Sequence, residues 1–241
     1  MKRTKILSVV FCLSLMATGC LKDQKTTDTG ESSEQVSKVT SEASDTAHEA
    51  TVEVITTLSI PAGDNYEYTS VVPKLIVDGE EATEINDALG AHIQEKYPME
   101  EYDGYAEGFS TSIEWGVTED TVSIVIHASD TSSDYFTCEA FNYDLDTLKE
   151  LDDSEVTARL GMSDDELFGK VETIITQYCD DHPSYDLEAS LAAINYDKIT
   201  PFISSNGNAA VVVCIVYADD SQFAGSESMR TIDIIDMTIR E

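Results

Sequence analysis

A period of two decides the class of this chain. In residues 122–127 (VSIVIH), Val122, Ile124 and Ile126 alternate with Ser123, Val125 and His127, as side chains do on a pleated strand. Strand-like texture also marks residues 51–60, 66–77, 105–117, 135–145, 199–205, 209–217 and 229–239. Between these runs the apolar spacing becomes helical. Ile85, Ala88, Leu89 and Ile93 line one side of residues 83–97, and Pro98 closes that helix. Leu167, Phe168, Val171, Ile174, Ile175 and Tyr178 line residues 163–178, with Ser163 and Glu166 as a capping box. Asp186 caps a short third helix through Leu187, Leu191 and Ile194. Strands, helix, strands, helices, strands predicts an α+β fold with a mostly antiparallel sheet and two main helices packed on one face.

The punctuation agrees with that order. Asp78-Gly79 and Glu119-Asp120 read as turns, and Asn206-Gly207 between two strands is a hairpin signal. Pro73 inside a strand-like run marks an edge or a bulge. The three strands between residues 105 and 145 read as an antiparallel meander with one wet face. The folded region is expected over residues 51–241, with room for two sub-domains at about 51–155 and 156–241.

The start of the chain has another texture. Residues 1–20 read MKRTKILSVVFCLSLMATGC: Lys2, Arg3 and Lys5, a short apolar run, then Ala17-Thr18-Gly19 before Cys20. The run is about half the roughly 20 residues of a membrane span. The stretch resembles the signal peptide of bacterial lipoproteins. That resemblance implies a mature chain starting at a lipid-bearing Cys20, on the outer face of the cytoplasmic membrane. Each buried CH₂ contributes ~0.8 kcal/mol, and two acyl chains hold where one is marginal. Residues 21–50, rich in Ser, Thr, Glu, Asp and Lys and free of aromatics, read as a disordered acidic tether reaching about 30 Å.

The formal net charge is −33. Such a field repels nucleic acid and attracts basic proteins and divalent cations, and it also keeps a surface protein soluble. Of five cysteines, Cys12 lies in the signal and Cys20 is the lipid site. Cys138, Cys179 and Cys214 remain, enough for one disulfide at most, or for three buried thiols.

No catalytic motif stands out. His48, His92, His127 and His182 are dispersed, and no C-x-x-C or G-x-S-x-G occurs. His48 falls in the tether, and His92 reads as a half-buried structural residue. Ser123 and His127 share a strand face but stand too far apart to bond directly. Asp144 and Asp146, with Asp152 and Asp153, offer oxygen ligands for Ca²⁺, although the EF-hand pattern fails. Asp219 and Asp220 are a second acidic candidate. For these aspartates a solvated loop competes as the reading. Tyr102 and Tyr105, set among acids and glycines, can receive Lys or Arg through cation–π contact, or stack on sugars.

Two longer segments carry a family resemblance. Residues 139–151 (EAFNYDLDTLKEL) are similar to a "strand, Asn-aromatic-Asp, turn, Lys, Leu" segment, with a capped helix following. Residues 201–226 (PFISSNGNAAVVVCIVYADDSQFAGS) resemble a closing hairpin and strand followed by an aromatic and a glycine, here Phe223 and Gly225. Both resemble the adjoining domains of unknown function in lysozyme-sensing anti-sigma factor ectodomains, which also occur at the N-terminus of a peptidoglycan deacetylase. The resemblance spans residues 66–239 and implies a binding or sensing module alone, without catalysis, for a basic protein such as lysozyme. The alternative it leaves open is a peptidoglycan-binding accessory or envelope enzyme, with cell-wall glycan as its partner. It assigns no individual binding residue.

Overall fold

Residues 121–130 form a strand covered on both faces, and the layers are built outward from it. The computed structural model describes residues 48–62, 66–133, 135–194, 199–218, 225–235 and 238–240. Strands β1 (Ala50–Pro61) and β2 (Glu67–Val77) make a long antiparallel hairpin, and the short β3 (Glu80–Glu81) adds to the end of β2. Helix α1 (Thr83–Lys96) follows. Then β4 (Met99–Tyr102), β5 (Tyr105–Val117), β6 (Thr121–Asp130) and β7 (Phe136–Asp144) form an antiparallel sheet in that order. Helices α2 (Asp153–Arg159), α3 (Asp164–Asp181) and α4 (Leu187–Ala193) lead to a second antiparallel sheet. Its strands are β8 (Thr200–Ile203), β9 (Ala209–Val216), β10 (Glu227–Asp233) and β11 (Thr238–Arg240), ordered β11-β10-β9-β8.

Alternation sorts the core into three strata. Val122, Ile124 and Ile126 of β6 meet Ile85, Leu89 and Ile93 of α1. On the other face of β6, Val125 joins Cys138 of β7, Phe202 of β8, and Ala210 and Val212 of β9. The outer face of β9, through Val211, Val213 and Ile215, packs on Leu167, Val171, Ile174 and Ile175 of α3. The layers therefore run helix, sheet, sheet, helix. Each fully buried aliphatic side chain contributes about 1.5–3 kcal/mol.

The antiparallel α+β class is as the sequence indicates, but two details differ. The main helices do not share a face: α1 covers the first sheet and α3 the second. The meander has no wet face over β6, because the second sheet lies where water was expected, and Ser123 and Val125 are fully buried. Smaller differences are local. The full capping box belongs to α2, between Asp152 and Glu155, whereas at α3 Ser163 accepts from the Glu166 N–H. The expected last strand is two antiparallel strands, β10 and β11. The described residues already begin at His48, inside the stretch read as tether, and two carboxylates hold its imidazole.

Buried polar bonds join the two sheets. The Ser123 hydroxyl donates to Asn142 Oδ1 (2.6 Å) and accepts from the Ile203 N–H (2.9 Å). The Asn142 amide donates to the Pro201 carbonyl (2.9 Å). Beside them Gly116 of β5 lies so near β8 that an added Cβ would sit 2.2 Å from the Ser204 carbonyl oxygen.

Side chains also close the free edge of β2. Ser110 bonds the Thr69 N–H and C=O, and Thr111 bonds those of Val71. Asn86 of α1 does the same for Leu75. Pro73, on the same edge by alternation, has no N–H to satisfy. Its edge reading from sequence holds.

Removing the Ser123 hydroxyl strands a buried N–H and an amide oxygen together. Ser123→Ala is expected to cost about 1–3 kcal/mol, and Gly116→Ala a similar ~1–3 kcal/mol through overpacking. Urea unfolding with a lowered midpoint and unchanged slope is the measurement.

Candidate functional site

Beyond Phe109, strand β5 leaves the sheet. Its residues 109–117 pair with β6, but residues 105–108 pair only with β4, so the β4–β5 hairpin projects past the sheet end. Its tip is Asp103-Gly104, with φ of 50° at Asp103 and 82° at Gly104, the two positive values of a type I′ turn.

 Asp78 at 53° and Gly79 at 82° make the same turn between β2 and β3. Gly108 at the hairpin's base has φ 107°, and a Cβ there would sit 2.0 Å from the Pro98 carbonyl oxygen. Only glycine lets the two strands close at that point.

This turn brings the two sequence candidates together. Tyr102 and Tyr105 are cross-strand partners, 68% and 77% exposed. Two residues back along each strand, on the same face, Glu100 stands opposite Glu107. Residues 99–109 (MEEYDGYAEGF) hold four carboxylates and no Lys or Arg. Like charges directly opposed on a strand pair are destabilising, so this face is a place where a cation is favoured. The base of the hairpin is braced: Thr131 donates through its hydroxyl to the Ala106 carbonyl (3.1 Å), and Tyr68 donates to the Thr131 carbonyl (3.4 Å). Tyr66, edge-on to Tyr68 at 5.2 Å between ring centres, adds another exposed ring at this end.

The four aspartates offered for Ca²⁺ are not brought together. Asp144 accepts from Arg159 Nη2 (2.5 Å) and from the Thr147 hydroxyl (2.6 Å) and N–H (2.7 Å). Burial pushes its carboxyl up, but those bonds outweigh burial and hold it below the ordinary value. Asp146 accepts from His48 Nε2 (2.9 Å), whose Nδ1 meets Asp78 (2.6 Å). Asp152 caps α2, accepting the Glu155 N–H at 2.8 Å. Asp153 enters a cleft of about 420 Å³ with Asp152, Asp164, Leu167 and Phe168. There burial first, and the neighbouring carboxylates second, raise its pKa. Among the described residues no group of three or more His, Cys, Asp or Glu is placed to hold a metal ion. Cys20, Asp219, Asp220 and Phe223 lie outside the described residues.

The remaining reactive groups have structural partners. Cys138, Cys179 and Cys214 are buried, with no disulfide among them, and burial pushes the Cys138 thiol up to about 12. His92 (2.7 Å) and Tyr97 (2.7 Å) bond one oxygen of Glu139, and Lys96 bonds the other. Burial raises the Glu139 carboxyl, and these three partners together bring it below its usual value. Ser123 is committed to the junction between sheets, so it has no part in a nucleophile–base pair with His127.

The sequence singled out the tyrosines but missed their pairing, the opposed glutamates and strand β4. The Asp103-Gly104 dipeptide was the available signal. Comparison with family models, with curated proteins and with solved structures finds no match.

His48 supplies a pH test. Hydrogen bonds first to Asp78, then to Asp146, raise its pKa, while its partner Asp78 is lowered, chiefly by the Glu49 N–H and then by His48. The histidine contribution is therefore complete below about 6.5 and is lost as pH rises through the raised value. The Asp78 contribution is present above the ordinary carboxylate range and is lost as pH falls through its lowered value. The difference in Tm between wild type and His48→Gln should be largest at about pH 5.5 and shrink toward alkaline pH. Thermal scans across pH check it.

Proposed function

We propose that this chain is a lipid-anchored extracytoplasmic binding module at the cell envelope, and that the β4–β5 hairpin takes a basic protein such as lysozyme. The hairpin tip carries the assignment. Its tyrosine pair and opposed Glu100 and Glu107 stand on one exposed face, clear of the sheet. A Lys or Arg entering that face relieves the repulsion between the glutamates and meets the ring faces of the tyrosines. Tyrosine is also a low-entropy anchor, because it buries a large ring at the cost of few rotatable bonds. Residues 1–20 support the anchoring, and the formal charge of −33 supports attraction of a basic ligand over distance. The resemblance of residues 66–239 to lysozyme-sensing ectodomains favours the same class of partner.

The reading gives the chain no catalysis. Glu139, Asp144 and Ser123 are each tied into structural contacts, which supports a binding role over an enzymatic one. Release of sugar or acetate from purified cell wall would favour the envelope-enzyme alternative instead.

The test is titration of the full chain with lysozyme at low and moderate salt. Saturable binding is expected at both, weaker at the higher salt as surface charges are screened. Tyr102→Ala with Tyr105→Ala should weaken it at least about tenfold, as loss of an aromatic anchor does. Both side chains are exposed, so stability should move by less than about 0.5 kcal/mol. Absence of saturable binding at both salts rejects the proposal.

A further inference from the structure

The two long edges of the β1–β2 hairpin are treated in opposite ways. Along β2, Ser110, Thr111, Pro73, Asn86 and β3 account for the backbone residue after residue. Along β1, no strand among the described residues pairs with the outer edge. The register fixes which groups point outward there. Val52 and Thr56 stand opposite Leu75 and Val71, whose N–H and C=O groups face away from β1, and Val54 between them stands opposite Pro73, which has no N–H. These are the non-bonded pairs of the ladder, so the backbone groups of Val52, Val54 and Thr56 face outward too.

The side chains on this edge are unusual for the molecule. In a chain of formal charge −33, the twelve residues of β1 (ATVEVITTLSIP) contain one charged group, Glu53. That group has Lys74 3.9 Å away. Val54 and Ile55, on opposite faces, are 41% and 42% exposed. Soluble proteins usually guard such an edge with charge, proline or a covering segment. The segment from Val52 to Leu58 has instead the low charge and β-branched content that favours strand addition.

We infer that the outer edge of β1 is a strand-pairing interface, and that its occupant is β1 of a second copy of this chain. Charge selects that occupant. Two copies repel over nearly all their surface, and β1 is the neutral strip where they can approach. An antiparallel pair about a twofold axis at Val54 sets Val52 against Thr56 of the second copy, so each pair exchanges backbone hydrogen bonds. The same register sets Glu53 against Ile55 of the second copy and keeps the two glutamates from opposing each other. The two three-stranded hairpin sheets become one continuous six-stranded sheet. This contact is separate from the β4–β5 tip and does not depend on lysozyme binding.

The test is sedimentation equilibrium of the full chain beside two variants. Val54→Pro removes one outward N–H and leaves the ladder to β2 intact, since proline is tolerated where the N–H points away from the sheet. Val54→Lys keeps the backbone and adds a charge that guards an edge. Wild type should be dimeric and tighten as salt rises, because screening weakens repulsion between like-charged copies. Both variants should lose the dimer at unchanged circular dichroism, and amide exchange at residues 52, 54 and 56 should slow with concentration in wild type only. A wild type that stays monomeric at every concentration and salt overturns the inference, as does a dimer that survives in Val54→Lys. A basic peptide that binds a monomeric wild type, lets go as salt rises and fails on Val54→Lys would overturn it too, in favour of a foreign strand.

Discussion

Two sheets that meet through Val125, Cys138, Phe202, Ala210 and Val212 could slide across one another, because apolar contact has no direction. The bonds from Ser123 and Asn142 to the backbone of Ile203 and Pro201 remove that freedom. They work only at one alignment, and any other leaves buried polar groups without partners. Gly116 narrows the choice again, since its missing side chain is the space β8 occupies. With β8 placed, the register of β9 and β10 follows, and with it the surface on which α3 packs.

The same residues show what a sequence tells and withholds. The alternation in VSIVIH identifies a strand, and α3 is plain from its apolar spacing. Ser123 nevertheless looked like a residue facing water. A hydroxyl satisfied by a backbone N–H and an amide has the same letter as one satisfied by solvent. The aspartates mislead similarly. Their number is visible, but the pairing of Asp146 with His48 spans 98 residues and that of Asp144 with Arg159 spans 15. Such partners are set by sheet order, which local patterns do not encode. The β4–β5 hairpin is legible only in part. Asp103-Gly104 announces its turn, but β4 (MEEY) is short, half carboxylate, and lacks the apolar alternation that reveals a strand.

The Asn-aromatic-Asp motif at residues 142–144 is occupied with structure. Asn142 joins the sheets, Tyr143 packs beneath α1, and Asp144 holds the turn and Arg159. Sequence likeness concentrated in such a segment speaks to how a chain folds. The tyrosines that carry the binding proposal lie elsewhere, at exposed positions of the β4–β5 hairpin. The residues of the binding proposal and those of the motif thus lie in different parts of the molecule.

That division has a direction. His48, where the described chain enters, docks at the end of β2 marked by Asp78, and the turn bearing Asp146 closes the same end of β7. Tyr68, at the far end of β2, touches Thr131 beneath the β4–β5 hairpin. Eleven residues of strand separate the two ends, roughly 30 Å at the rise of an extended chain. The described chain thus enters at one end of β2, and the β4–β5 tip stands at the other, a strand-length away.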